Sequence, residues 1–197
     1  MERLVLDPDA PWEAAAARAS AVLRGGGVAL LPAEGVYGLH ARADDPAAVS
    51  RLLVLKPRSA EKRFIGLIAD LDEIGRWAEA SPRAVSLARE HWPGALTLVL
   101  PASLEAPEAM RSPEGTVALR CPGNPFLRQV VRGVGIVLST SANAPGANPS
   151  LRPDEELAAR VDLVVDQGTL SGTPSTVVAV EGGIVRVIRM GAVRVRT

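Results

Sequence analysis

The chain has 197 residues, 22 Lys plus Arg against 22 Asp plus Glu, and an apolar fraction of 47%. That length suits one domain with its own core, and that apolar content excludes wholesale disorder. A net charge of zero argues against a general nucleic-acid coat, which carries a large basic excess, but leaves room for a local basic groove.

From the N-terminus, residues 1–8 hold no apolar run long enough for a secretory leader, and no later stretch is long enough to span a membrane. Residues 11–23 are alanine-rich and read as a helix, with Pro11 in its first turn and three glycines after it. Residues 28–31 read as a buried strand. A turn over 32–35 follows, and extended structure resumes over 36–39. Asp45-Pro46 starts a second helix, ending near Leu55. Residues 64–68 are a strand candidate. A helix from about Asp72 and another from Ser81-Pro82 to His91 come next.

Residues 95–100 alternate as a strand does, and 116–120 read as another. Asn124-Pro125 caps a helix to about Val131, with Gly133 near its end. A short strand over 136–138 runs into a polar turn at Ser139. A short helix over 154–160 and strands over 161–165, 176–180 and 184–188 complete the chain. Helices alternate with strands and strands dominate the end. The expected fold is one α/β domain over residues 1–197, with helices on a twisted, mixed, open sheet. The single Cys121 excludes an internal disulfide, fits a reducing cytoplasm and reads as a small buried apolar residue.

The basic residues are unevenly chosen. Only two are lysines, Lys56 and Lys62, and both fall in the run Lys56-Pro57-Arg58-Ser59-Ala60-Glu61-Lys62. A compact ammonium and a planar guanidinium side by side suit a site for an anion, above all phosphate; the same run also fits a solvated loop. Arg120 and Arg189 each end an apolar strand. Ser139-Thr140-Ser141-Ala142-Asn143 offers hydroxyls and an amide that suit phosphate or carboxylate, and Gly172-Thr173-Pro174-Ser175-Thr176 repeats the pattern.

Walker and Rossmann phosphate loops and the hydrolase serine elbow are absent. His40 and His91 have no metal-ligand spacing and read as structural or surface residues. Cations and hydroxyls without an obvious base or nucleophile suit catalysis by positioning and electrostatics on a phosphoryl or adenylyl group.

These residues resemble the YrdC/TsaC family of threonylcarbamoyl-AMP synthases in its short form. The likeness rests on 32–38, where the family has Pro-Thr-Asp/Glu-Thr-Val-Tyr-Gly, on Lys56-x-Arg58, and on Trp92-Pro93-Gly94 with Leu96-Thr97. It continues through Val117-Ala118-Leu119-Arg120, Ser139-Thr140-Ser141-Ala142-Asn143, Ser175-Thr176-Val177-Val178 and Arg189-x-Gly191. The resemblance implies a YrdC-like fold with a concave, positively charged groove.

It also implies a reaction in which L-threonine and bicarbonate or CO2 form a carbamate. The carbamate attacks the α-phosphorus of ATP and expels pyrophosphate. Lys56 and Arg58 take the catalytic role. Lys56, Arg58, Lys62, Thr116, Ser139, Asn143 and Arg189 match ATP contacts, while Gly35, Arg120, Ser141 and Ser175 match threonine contacts. Mg2+ arrives on the phosphates, with no metal ligands from the protein. Partner proteins receive the adenylate for tRNA modification in the cytoplasm, with weak direct RNA contact as a secondary expectation. Ala33 and Gly35 replace two family threonines and put amino-acid selectivity in question. The rival readings are a non-catalytic module that binds tRNA or rRNA, and a divergent nucleotide-binding paralogue.

Overall fold

The computed structural model describes residues 1–7, 11–57, 64–143, 148 and 150–196. In chain order its strands are β1 (Glu2–Val5), β2 (Ala29–Pro32), β3 (Tyr37–Arg42), β4 (Ile65–Leu67), β5 (Leu96–Pro101), β6 (Thr116–Arg120), β7 (Val137–Ser141), β8 (Leu163–Asp166), β9 (Thr176–Glu181) and β10 (Ile184–Arg189). The helices are α1 (Glu13–Arg24), α2 (Pro46–Leu55), α3 (Ile74–Trp77), α4 (Pro82–His91), α5 (Pro125–Val134) and α6 (Glu155–Ala158).

Three helix starts follow one rule, a polar cap ahead of a proline that needs no N–H partner. Asp45 accepts from the N–H groups of Ala47 and Ala48, Ser81 from Ala84, and Asn124 from Leu127. Several boundaries differ from the sequence expectation. Helix α5 runs past Gly133 and stops at Gly135, whose φ of 96° breaks the helix. The helix expected from about Asp72 is a 3-10 turn, Leu71–Glu73, leading into α3. The Ser139-Thr140-Ser141 run is strand rather than turn, because β7 pairs with β3 as far as Ser141. Strand β1 was not anticipated.

The ten strands share one sheet in the order β1-β8-β2-β3-β7-β4-β6-β5-β9-β10. It is mixed: β1 and β8, β2 and β8, β4 and β6, and β5 and β9 run parallel, and the other neighbours antiparallel. Side chains alternate between faces along a strand, and ladder partners share a face. One face packs Leu30, Leu39, Leu138, Leu119, Leu98 and Val178 against α2, α3 and α4. On the other face, Leu31, Leu67, Val137 and Leu163 lie under α1 and α5.

Those two helices cover only part of their face. On β6, Thr116 and Ala118 are half-buried while Val117 and Leu119 are buried. On β9, Val177 and Ala179 are half-buried while Val178 and Val180 are buried. Beyond β4, therefore, the face under α1 and α5 continues as an open groove. Among the described residues no helix is long and apolar enough to cross a membrane.

Candidate functional site

The ladder sets what the groove presents. Ile65 pairs with both Ser139 and Ala118, His40 with Ser139, Gly38 with Ser141, and Leu67 with Arg120. By the period of two, Gly38, His40, Ser139, Ser141, Ala118 and Arg120 all lie on the groove face. A cleft at this place is lined by Gly38, Arg120, Ser139, Ser141, Ser175 and Arg189, together with Ala33 and Val36.

Arg120 is only 6% exposed, although it ends its strand, because β6 lies inside the sheet. Its Nη1 lies 3.3 Å from Glu34 Oε2. Glu34 Oε1 accepts the Gly123 N–H at 2.7 Å. Arg120 Nε and Glu34 Oε2 make no hydrogen bond among the described residues. The guanidinium is thus charge-compensated, yet its Nε donor has no partner among the described residues; a planar fork of this kind suits a carboxylate.

Arg189 comes from β10 at the sheet edge and turns onto Ser175. Its Nη2 donates to the Ser175 carbonyl at 2.7 Å and to Ser175 Oγ at 3.2 Å. The Ser175 and Thr97 hydroxyls share a hydrogen bond at 2.9 Å. Burial first, and then the like charge of Arg120, lowers the pKa of Arg189. Two guanidiniums that raise each other's cost in one cleft favour an anion between them.

A second group forms where β7 ends. Lys56, 8% exposed at the end of α2, donates through Nζ to the Asn143 carbonyl and, at 3.0 Å, to Asn143 Oδ1. This places the ammonium beyond Ser141 on the same strand. Arg58 and Lys62 lie outside the described residues. Thr116 starts β6, its hydroxyl 2.9 Å from Ser112 Oγ. It stands four residues, about 13 Å, from Arg120 along the strand.

The structure therefore brings several of the expected residues together in two places. Lys56 joins Asn143, as expected. Ser139 and Arg189, expected beside the nucleotide, stand with Arg120, Ser141 and Ser175. Gly35 contributes backbone. A Cβ at Gly35 would lie 2.1 Å from the Thr173 carbonyl oxygen, and the Gly172 N–H donates to Gly35 O at 2.8 Å. Gly35 is thus required by this close approach and not by a left-handed backbone, since its φ is not positive.

Sequence reasoning passed over Glu34, Thr97 and His40. Glu34 had a visible signal, being the acidic residue inside the 32–38 motif. Thr97 had one too, inside the Leu96-Thr97 motif, whereas His40 reads in sequence as a structural or surface residue and nothing there shows the hydroxyl it meets. Among the described residues no group of three or more His, Cys, Asp or Glu could hold a metal. Glu34, the carboxylate beside Arg120, is already engaged by Arg120 and the Gly123 N–H, which makes it a poor ligand for a resident Mg2+.

Fold and cleft together define an α/β protein whose cleft gathers two arginines and three serine hydroxyls. The family profile described as Telomere recombination, Sua5/YciO/YrdC, matches residues 21–191, and the chain belongs to this family. It is 34% identical over 189 residues to the threonylcarbamoyl-AMP synthase of Bacillus subtilis, covering 90% of this chain and 53% of that protein. It is 34% identical over 173 residues to the synthase of Chromohalobacter salexigens, covering 85% and 93%.

The chain therefore spans about half of the first relative's length and nearly all of the second's. Among solved structures, P. abyssi Sua5 complexed with L-threonine is similar at a TM-score of 0.85 and 28% identity, over 96% of this chain and 57% of that one. The YciO protein of E. coli is similar at a TM-score of 0.87 and 27% identity, over 97% and 96%.

Proposed function

We propose that the protein is an L-threonylcarbamoyladenylate synthase, joining L-threonine, bicarbonate or CO2, and ATP. The observation that carries this reading is the meeting of Arg120, Arg189 and three serine hydroxyls in one cleft. Its support from relatives is the synthase activity named for the two bacterial proteins and the threonine named in the Sua5 complex.

In this reading Arg120 holds the threonine carboxylate, and Ser141 and Ser175 hydrogen-bond the rest of the amino acid. The amine adds to CO2 and loses a proton, giving a carbamate. A carbamate oxygen then attacks the α-phosphorus of ATP, the bond to the bridging oxygen breaks, and pyrophosphate leaves. Lys56 and Arg58 supply the positive charge that stabilises the pentacoordinate phosphorus, with Lys62, Thr116, Asn143 and Arg189 along the nucleotide. Any Mg2+ would be carried by the phosphates of ATP rather than by ligands from the protein. The threonylcarbamoyl-AMP passes to proteins that modify tRNA.

Catalysis here is positioning plus electrostatics, which fits a cleft without a free carboxylate. The experiment incubates the purified protein with ATP, threonine and bicarbonate, and measures pyrophosphate and the adenylate. Pyrophosphate release that needs all three substrates is expected. Release without threonine, or none at all, rejects the reading.

A further inference from the structure

His40 is a fully buried ionisable group under the cleft that the proposed chemistry does not use. Its ladder partner is Ser139, and Nε2 lies 3.2 Å from Ser139 Oγ, at hydrogen-bonding distance. The ring leans along β3 across Gly38, where a Cβ would lie 2.8 Å from His40 Cε1. The bare Cα of Gly38 is what admits it. Nδ1 meets no well-aligned hydrogen-bond partner among the described residues, although backbone groups of Gly38 and Ala29 lie close enough to act on the ring. Burial first, then the charge of Arg120, pushes the imidazole pKa down to about 3.

An apolar side chain would fill this space without burying polar ring nitrogens. Burial alone therefore does not account for a histidine. What the ring provides is its contact with Ser139, a cleft-lining hydroxyl. A rotating hydroxyl has one donor and two acceptor directions. The ring takes one of them and leaves the others for the cleft.

We infer that His40 is a positioning residue, holding the Ser139 hydroxyl beside Arg120 in the orientation that receives a carboxylate-bearing amino acid. The inference rests on the reading above and assigns Ser139 to the amino acid. A neutral imidazole suits the task, because an imidazolium would add a third positive charge beside Arg120 and Arg189.

The test is calorimetry of threonine and, separately, of ATP, with melting curves to establish folding. His40→Phe is expected to fold and to bind threonine about tenfold more weakly, the worth of one hydrogen bond, with ATP binding unchanged. In a Ser139→Ala background the same change is expected to have no further effect. Equal threonine affinity, equal losses for both ligands, or an undiminished loss in the Ser139→Ala background overturns the inference.

If the phenylalanine ring does not fit, His40→Gln and His40→Asn carry the test. The Gln amide reaches the Nε2 position, whereas that of Asn stops near Nδ1. Gln is expected to bind threonine about tenfold more tightly than Asn, and equality overturns the proposal. A wild type that binds no threonine removes the proposed function and this inference together. A wild type that binds it no better than His40→Phe removes the inference alone.

Discussion

Glu34 and Arg120 face each other at 3.3 Å, with side chains only 15% and 8% exposed, yet Glu34 Oε2 makes no hydrogen bond among the described residues. The pair balances charge without using up the guanidinium. Breaking a buried pair by removing one partner strands the other charge, at a cost of about 3 kcal/mol. Glu34→Gln keeps an acceptor for the Gly123 N–H while removing the charge. It is expected to lower stability by roughly that amount and to tighten threonine binding, because Arg120 then lacks its internal competitor. Denaturant melts and calorimetry check both signs. Unchanged stability would show that the pair is not what holds Arg120 in place.

Arg120→Ala is expected to abolish threonine binding while leaving ATP binding measurable. Arg120→Lys restores the charge but not the planar fork, and is expected to recover little. Calorimetry with each substrate separates the two. A lysine variant at wild-type affinity would mean that charge alone is recognised.

Lys56 is tied to both oxygens of Asn143, so its charge is anchored between α2 and the end of β7. Lys56→Ala is expected to slow adenylate formation by about 2–4 kcal/mol of transition-state stabilisation, with threonine affinity little changed. Single-turnover pyrophosphate release is the measurement. Near-wild-type turnover would remove Lys56 from the catalytic role.

Gly35→Thr would put back a hydroxyl that the family motif contains, but here the place is taken. Its Cβ would meet the Thr173 carbonyl at 2.1 Å and Ser171 Oγ at 2.9 Å. The segment 171–173 must move, at a cost of about 1–3 kcal/mol, and that segment leads directly to Ser175. The variant is expected to be less stable and less selective for threonine over serine. Ala33→Thr, at a position 6% exposed in the cleft lining, is the companion change. A gain in kcat/KM ratio for threonine over serine in Gly35→Thr would contradict this geometry.

The His40 pKa falls from 6.5 to about 3 on folding, through burial and the charge of Arg120, the charged group facing it. Between those values the unfolded chain binds the extra proton. Stability from neutral His40 is therefore complete above about pH 6.5 and lost as pH falls toward 3. Its slope reaches up to about 1.4 kcal/mol per pH unit. His40→Gln is expected to flatten the acid limb of stability against pH. Parallel curves for the two proteins would rule out His40 as its source.

Much was legible locally. Asp45-Pro46, Ser81-Pro82 and Asn124-Pro125 mark helix starts because a capping side chain and a donor-free proline act within four residues of sequence. Alternation marks β5, β6 and β9 for the same local reason. The ends of α5 and of the β7 strand were less legible. A helix can run through Gly133, and a serine run becomes strand only because β3 lies beside it.

Sequence by itself determined the residue types at the site: a basic run, arginines closing apolar strands, and hydroxyls beside them. Only the tertiary structure decided which of them meet. Sheet order brings β3, β7, β4 and β6 side by side from distant parts of the chain, and that buries Arg120, draws Arg189 onto Ser175, and puts His40 behind Ser139. The need for glycine at position 35 is likewise set by Thr173, 138 residues away along the chain. Contacts of that kind leave no local signal, because a side chain's neighbours across a sheet are fixed by register and not by sequence distance.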